Sequence, residues 1–205
     1  MLLESETSQL VLVDYQPGVL KVLFESDLVQ ANALRLARAA QLFKVPICGT
    51  EHAPASLGPT PEVLRTCYQR TLSKMSFSAV EDGLVDHLRP AIQGASGNAR
   101  SLPKHLQKPA RSNPVRDNIV VAGCEAHVCL LQTALHLLDD EFNVWVVTDA
   151  SSSIAERQRD AAFDRLAGAG AELVSTEMVL FEWLGSAEHP LFGQILDLVK
   201  TAEPR

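Results

Sequence analysis

The sequence predicts an α/β protein built as a three-layer α/β/α sandwich around a six-stranded, mostly parallel sheet. Apolar runs of strand length alternate six times with longer segments of helical period, which is typical of a parallel sheet with helices between its strands. The first run, 9–14, is apolar on both faces, as suits a strand covered by helices on both sides. With 46% hydrophobic residues, the 205-residue chain can bury a sizeable core. We expect a single domain over residues 1–205.

The predicted strands are short, and the predicted helices carry apolar residues at roughly helical spacing. The six predicted strands are 9–14, 45–50, 70–74, 118–123, 143–147 and 171–175. The four predicted helices are 27–44, 80–88, 127–138 and 154–166. Gly168 and Gly170 follow the last helix as candidate C-caps. Right-handed crossovers then place the helices on both faces of the sheet.

Two segments stand outside this alternation. Residues 92–117 lack clear periodicity and are rich in Gly, Ser, Pro and basic residues, which predicts an extended loop. In an acidic protein we favour a solvated surface for this loop over a nucleic-acid or anion patch. Its basic residues include Arg100, Lys104, Lys108, Arg111 and Arg116. The apolar tail 177–200 either covers its own sheet, which we favour, or packs against a neighbouring subunit.

Charge and hydropathy exclude several classes of protein. Eighteen Lys and Arg residues against 25 Asp and Glu residues give a net charge of −7, which argues against a nucleic-acid platform. The longest apolar runs are too short to cross a bilayer. The first residues lack the basic start and long apolar stretch of a signal peptide. We therefore expect a cytoplasmic protein with neither a nucleic acid nor a membrane as a partner.

Common motifs for metals, nucleotides and serine nucleophiles do not occur in the sequence. The four cysteines form no C-x-x-C pair, so we expect free thiols in a reducing compartment. Neither His-x-x-His nor Asp-x-His is present, and the adjacent side chains of Glu51 and His52 are poorly placed to converge on one ion. No G-x-S-x-G, Walker loop or G-x-G-x-x-G is found. We therefore expect no metal and no cofactor.

Polar residues at the ends of predicted strands are the first candidates for a site. Ligands of open parallel sheets bind beyond the carboxyl ends of the strands. Asp14 follows the first strand directly, where a carboxylate is equally consistent with a turn or helix cap and with a functional acid. Lys74 ends the third strand, and by position alone an ordinary surface lysine is the favoured interpretation.

Cys129 is the candidate nucleophile among the four cysteines. It is predicted in the first turn of the helix after the fourth strand, where backbone N–H groups and the helix dipole lower a thiol pKa. The alternative is a small buried core residue, the usual fate of a free cysteine. Cys129 shares the more polar helical stripe, with Gln132, Thr133 and His136. Cys48 and Cys67 are interpreted as packing residues, while Cys124, at the turn, is a candidate to line a pocket.

With Asp14, Lys74 and Cys129 at one edge of the predicted sheet, the chain resembles the isochorismatase-like cysteine hydrolase superfamily. The resemblance covers nearly the whole chain and is greatest to the isochorismatase-domain-containing branch, whose members mostly lack an assigned substrate. It implies the Rossmann-like isochorismatase fold. The segments that carry it are Asp14-Tyr15-Gln16, Thr50-Glu51 with Leu57-Gly58-Pro59-Thr60, 74–78, 123–129, Gln132-Thr133-Ala134, Asp149-Ala150 with Ser152-Ser153, Gly170-Ala171-Glu172 and 181–184.

The resemblance also implies roles for individual residues. The family's catalytic triad of Asp, Lys and Cys corresponds to Asp14, Lys74 and Cys129. The peptide bond entering the turn before the nucleophile is commonly cis in the family, which corresponds here to Cys124–Glu125 and would aim a backbone N–H into an oxyanion hole formed with Cys129. The implied residues of the substrate pocket are Gln16, Val19, Glu51 and His127.

The resemblance also shows where this sequence departs from the family, and it implies that the protein assembles into oligomers. Val19 stands where the family often has an aromatic residue, so we expect a different pocket wall there. The metal-binding Asp-x-His of nicotinamidase-like members is absent. Members usually form homo-oligomers, and a dimer or tetramer is expected here.

Three functions are compatible with the resemblance. The preferred one is a metal-independent cysteine hydrolase that cleaves a small amide or related C–N bond through a thioester on Cys129. The second is vinyl-ether hydrolysis of isochorismate-like substrates, which needs an acid and not a thiol nucleophile. The third is a non-catalytic scaffold in which Cys129 serves as a redox-sensitive thiol. The expected partner in the first two is a small-molecule substrate.

Overall fold

A six-stranded, all-parallel sheet organises the protein. The computed structural model describes residues 2–89 and 115–200. The strands are β1 (Ser8–Val13), β2 (Ile47–His52), β3 (Arg70–Lys74), β4 (Asn118–Gly123), β5 (Asn143–Val147) and β6 (Glu172–Val174), in the spatial order β3-β2-β1-β4-β5-β6. Every pairing between them is parallel. All six predicted strands are confirmed, and the mostly parallel sheet is entirely parallel.

Nine α-helices connect and cover the strands in the part of the chain that the structure describes. They are α1 (Pro17–Leu20), α2 (Ser26–Phe43), α3 (Pro54–Leu57), α4 (Glu62–Arg65), α5 (Leu84–Leu88), α6 (Leu131–Asp139), α7 (Glu156–Gly168), α8 (Thr176–Leu184) and α9 (Phe192–Lys200). A π-helical segment, Ala126–Leu130, leads into α6. None of these helices is both long and apolar enough to cross a membrane.

Some predicted boundaries are wrong, for local reasons. The predicted helix 80–88 is helical only over Leu84–Leu88, because Gly83 before it adopts a left-handed φ of 96°. Gly168 is the last residue of α7, and Gly170, with φ 102°, takes the left-handed position that follows the helix. Helices α1, α3 and α4 went unpredicted because four residues are too few to show a period.

Side chains of β1 divide the core into two layers. Leu10 and Leu12 point into a layer that also contains Trp183 of α8 and Ile195 of α9. Val11 and Val13 point into the opposite layer, under α5, α6 and α7. This alternation gives the predicted three-layer sandwich. Because Trp183 and Ile195 are buried in this chain's own core, the tail covers its own sheet, as favoured above.

Close packing at the end of β4 brings the turns that follow β1 and β4 together. A Cβ atom on Gly123 would lie 2.5 Å from the Val13 Cβ, so only glycine permits this approach of β4 to β1. Asp14 follows β1 and Cys124 follows β4, and the Cys124 N–H donates to the Val13 carbonyl at 2.9 Å. The predicted loop 92–117, with its anion-patch alternative, lies outside the described residues except for 115–117.

Candidate active site

The structure brings the acid, the lysine and the cysteine together at the carboxyl edge of the sheet. Asp14 follows β1, Lys74 is the last residue of β3, and Cys129 lies in the π-helical segment after β4. The Lys74 Nζ lies 2.8 Å from Asp14 Oδ2, and both side chains are almost completely inaccessible to solvent. Both side chains also interact with the Cys129 thiol, so three residues that are far apart in sequence form one buried cluster.

The Asp14 carboxylate is held by one neighbour on each oxygen. Thr50, at the end of β2, donates its hydroxyl to Oδ1 at 2.6 Å. Oδ2 faces Lys74 but accepts no aligned hydrogen bond from any described residue. Asp14 has a left-handed φ of 57°, which an Asp tolerates better than most residues. Thr50 went unassigned in the sequence, although its position at a strand end is the same signal that identified Asp14.

Lys74 is a buried cation with one ion-pair partner and two hydrogen-bond acceptors. It forms the ion pair with Asp14, and its ammonium donates to the Ser76 carbonyl at 3.1 Å and to the Phe77 carbonyl at 2.9 Å. The interpretation of Lys74 as a surface lysine, favoured by position alone, is wrong because only 2% of the residue is exposed. The charge of Lys74 therefore faces the Asp14 carboxylate without competition from water.

The loop that supplies these carbonyls is fixed by the polar stripe of α6. The Thr133 hydroxyl accepts the Ala79 N–H at 3.0 Å. His136 Nδ1 and the Ser78 hydroxyl share a hydrogen bond of 2.9 Å. Thr133 and His136 of the polar stripe thus bind the loop after Lys74, and α6, which continues the π-helical segment of Cys129, contacts this loop.

The Cys129 thiol lies against both charged groups of the ion pair. Burial and then the Asp14 carboxylate raise its pKa to about 12, while Lys74 opposes them by lowering it. The expected lowering of this pKa by a helix start is wrong, because the residue is only 7% exposed and sits in a π-helical segment beside a carboxylate. At neutral pH the resting side chain is a protonated thiol.

The turn before Cys129 leaves one backbone donor open. The Cys124–Glu125 peptide bond is cis, as the resemblance implies. The next two N–H groups are occupied, since Ala126 donates to the Ser152 carbonyl at 2.8 Å and His127 donates to the Ser153 hydroxyl at 3.3 Å. Among the described residues, the Glu125 N–H makes no hydrogen bond.

Gln16 lies beside this edge of the sheet, but its amide is fully used within the fold. Its Nε2 donates to the carbonyls of His52, at 3.1 Å, and Gly58, at 2.6 Å. Its Oε1 accepts the His52 N–H at 2.7 Å. Gln16 therefore ties the β1 turn to the segment after β2.

The remaining predicted pocket residues also have structural contacts. Glu51 Oε1 accepts the Thr60 N–H at 2.7 Å, and His127 Nδ1 shares a 2.9 Å hydrogen bond with the Ser153 hydroxyl. Val19 packs against the core layer that contains Leu10, Leu12 and Trp183. These contacts fix the three side chains within the fold, and their assignment to the substrate pocket stays a prediction.

The other three cysteines are buried within the core. Cys48 and Cys67 are 6% exposed, in keeping with their interpretation as packing residues. Cys124 is completely buried in the core layer that contains Leu10 and Trp183, whereas Cys129 borders the layer under α5, α6 and α7. Burial raises the pKa of the Cys124 thiol well above its usual range.

We expect Asp14→Asn to accelerate alkylation of Cys129. Removing the carboxylate charge leaves Lys74 unopposed and lowers the thiol pKa, so labelling by iodoacetamide at pH 8 rises about tenfold, which corresponds to one pKa unit. In the unaltered protein, labelling keeps rising with pH up to pH 10 without a plateau, because the pKa is about 12. Peptide mass spectrometry measures both rates, with Cys48 as the internal reference. Unchanged or slower labelling of Cys129 in Asp14→Asn contradicts this account.

A parallel α/β sheet with an acid, a lysine and a cysteine at its carboxyl edge matches the isochorismatase-like hydrolase fold. The sequence profile of the isochorismatase domain matches residues 8–178, and the chain belongs to this family. The resemblance found in the sequence is thereby confirmed.

Known proteins similar to this chain include curated relatives and solved structures. Isochorismatase domain-containing protein 2 of Bos taurus is 33% identical over 198 residues, which cover 97% of this chain and 85% of that protein. The MAR1 ribonuclease of Caenorhabditis elegans superposes with a TM-score of 0.82 at 27% identity, covering 100% of this chain and 95% of the other. The YcaC gene product of Escherichia coli, an octameric hydrolase of unknown specificity, gives 0.81 at 24% identity, covering 100% and 92%.

Proposed function

We propose that this chain is a metal-independent cysteine hydrolase that cleaves a small amide or related C–N bond through a thioester on Cys129. The observation that carries the proposal is the buried Asp14–Lys74 ion pair in contact with the Cys129 thiol. Asp14 Oδ2 pairs with Lys74 but accepts no aligned hydrogen bond from a described residue, so it is suited to accept the thiol proton. A sulfur nucleophile, a base and a charged group that holds the base in place are the components of acyl transfer.

In the first half-reaction, the substrate carbonyl oxygen binds at the Glu125 N–H, with the Cys129 N–H as the second proposed donor. Asp14 takes the proton from sulfur as sulfur attacks the carbonyl carbon, so no free thiolate is needed at rest. Lys74 stabilises the charge on Asp14 before the transfer. The tetrahedral adduct collapses, Asp14 delivers the proton to the leaving nitrogen, and the amine departs.

In the second half-reaction, Asp14 is again a carboxylate and activates a water molecule. The hydroxide attacks the thioester carbon, the C–S bond breaks, and Asp14 returns its proton to sulfur. The balance for a primary amide is one water consumed, with one carboxylic acid and one ammonia released.

Trapping of the acyl group tests this proposal. The protein is mixed with a panel of small amides and acid-quenched, and ammonia release and the mass of the Cys129 peptide are measured. For an accepted substrate we expect ammonia release, an acyl adduct on Cys129, and diversion of the product to a hydroxamate when hydroxylamine replaces water. Ammonia release with no adduct and no hydroxamate would refute the thioester route.

The other candidate functions give different outcomes in related assays. Vinyl-ether hydrolysis would form pyruvate from isochorismate without an adduct on Cys129. A redox-sensing role is disfavoured, because sensor thiols are exposed and of low pKa, whereas the Cys129 pKa is about 12. RNA cleavage, suggested by the name of the Caenorhabditis elegans protein, is disfavoured by the net charge of −7.

Assembly and location remain predictions. The family resemblance favours a homo-oligomer, a dimer or tetramer, and the Escherichia coli structure with this fold is described as octameric. The cytoplasmic location and the absence of nucleic-acid and membrane partners rest on the charge and hydropathy of the sequence.

A further inference from the structure

A cavity of about 510 Å³ lies at the carboxyl ends of β5 and β6, away from the cluster formed after β1, β3 and β4. Helix α2 contributes Asn32 and Arg35 to its wall. Asp149 follows β5 and Ser175 follows β6. The volume falls in the range typical of small-molecule sites.

Arg35 is a largely buried cation that has no anionic partner among residues 2–89 and 115–200. Only 9% of the residue is exposed, and its Nε has no hydrogen-bond partner. No described residue forms an ion pair with it: the acidic neighbour Asp149 instead uses Oδ1 to accept the N–H and hydroxyl of Thr176. An anion in the cavity would supply hydrogen-bond acceptors that the described residues do not offer to this guanidinium.

Asn32 specifies a second feature of the ligand. Its Nδ2 donates to the Asp149 carbonyl at 2.7 Å, which fixes the orientation of the amide. Its Oδ1 is buried and accepts no hydrogen bond. A ligand that satisfies both side chains therefore presents an anionic group to Arg35 and a hydrogen-bond donor to Asn32.

The surroundings favour a carboxylate over a phosphate. Asp149 and Glu177 also line the cavity, and their charges disfavour a ligand with two negative charges. The planar guanidinium matches a carboxylate in two parallel hydrogen bonds. Leu28 and Val199 supply apolar wall for a short carbon chain.

We propose that Arg35 and Asn32 form a second ligand site, for a small monocarboxylate that carries a hydroxyl or amino donor close to its carboxylate. The site is independent of the proposed hydrolase activity, because none of its residues belongs to the Asp14–Lys74–Cys129 cluster. Lys200, at the cavity wall, adds a second positive charge that attracts the same ligands.

Three probes that differ by one group each test the ligand class. Lactate has the carboxylate and the donor, propionate lacks the donor, and lactamide lacks the charge. In an NMR titration of the full chain, we expect millimolar lactate binding that shifts the amide resonances of Asn32 and Ser175. We expect about tenfold weaker binding of propionate, and no binding of lactamide. Tighter binding of inorganic phosphate than of lactate would overturn the proposal.

Substitution of Arg35 tests the site itself. Arg35→Met keeps the volume and removes the charge, so lactate binding is lost while the circular dichroism spectrum of the free protein stays unchanged. Glu177→Gln is the matched control and strengthens lactate binding about twofold, because it removes a repelling charge from the wall. Cys129→Ala leaves lactate binding unchanged. Unaltered lactate binding in Arg35→Met overturns the site.

A last variant tests whether the cavity binds a free ligand or is filled by the chain's own C-terminal residues. Residues 201–205, which follow Lys200 and include Glu203, are deleted. Equal lactate binding by the deleted and full-length chains supports a site for a free ligand. Binding only after the deletion assigns the cavity to the chain's own segment and overturns the proposal, as does the absence of binding in both.

Discussion

Cys129→Ala is expected to lower turnover of any accepted amide by about four orders of magnitude. In the proposed route sulfur forms the covalent intermediate, so its loss removes the reaction path and leaves only substrate binding and the oxyanion donor. The fold should tolerate the change, because the side chain is small and borders a core layer in which Ala126 and Ala134 already pack. The initial rate of ammonia release, measured with the best substrate from the amide panel, tests the expectation.

Cys67→Ala provides the matched control for this variant. Cys67 is also a buried cysteine, 6% exposed against 7% for Cys129, but it packs in the opposite core layer. Its removal should leave turnover within about twofold of the unaltered protein. Cys129→Ser adds a second comparison, since it keeps the shape of the side chain and replaces only the nucleophilic atom. A Cys129→Ala protein that is folded and retains more than a tenth of the original rate would exclude sulfur as the attacking atom.

Lys74→Met is expected to lower the free energy of unfolding by about 3–5 kcal/mol and to abolish turnover. The variant leaves the Asp14 carboxylate buried with only the Thr50 hydroxyl as a partner, and it deprives the Ser76 and Phe77 carbonyls of their donor. Breaking one partner of a buried pair costs more than the pair contributes, because the remaining charge is desolvated. Urea unfolding at pH 7, followed by circular dichroism, measures the loss.

The double variant Asp14→Asn with Lys74→Met separates stability from chemistry. With both charges removed, about 2 kcal/mol of the stability lost in Lys74→Met should return, because no uncompensated charge stays in the core. Asn is chosen because it tolerates the left-handed backbone of Asp14 and can still accept from Thr50. Turnover should stay absent in the double variant, since both the base and its partner charge are missing. The free energy of unfolding is also measured for Asp14→Asn alone. If the losses in the two single variants add up to the loss in the double variant, the two charges do not form a coupled pair.

The sheet could be predicted from the sequence because parallel strands buried on both faces are continuous apolar runs. The segment 118–123 is one such run, and β4 has the same first and last residues as the predicted strand. The short helices could not be predicted, because four residues are too few to show a helical period. Helix α1 has four residues, and its formation depends on Pro17 at the first turn and on packing of Leu20.

The location of the candidate site could be predicted from the sequence, but the burial and the pKa values of its side chains could not. Asp14 and Lys74 were assigned to one sheet edge because both end predicted strands, and the structure joins them at 2.8 Å. The burial of Lys74 and the raised pKa of Cys129 were not foreseen, since both depend on what surrounds each side chain after folding. Thr50 is the partner that sequence position alone could have suggested.

By itself, the sequence determined the parallel α/β architecture and the edge at which the candidate site lies, because hydrophobic periodicity and strand ends are properties of the chain. Only the tertiary structure decided that Lys74 carries its charge in the interior, that Cys129 rests as a thiol, and that Arg35 borders a cavity without an ion-pair partner among the described residues. Burial and the placement of neighbouring charges arise when segments distant in sequence pack together, and these set the pKa of a side chain and the partners available to it.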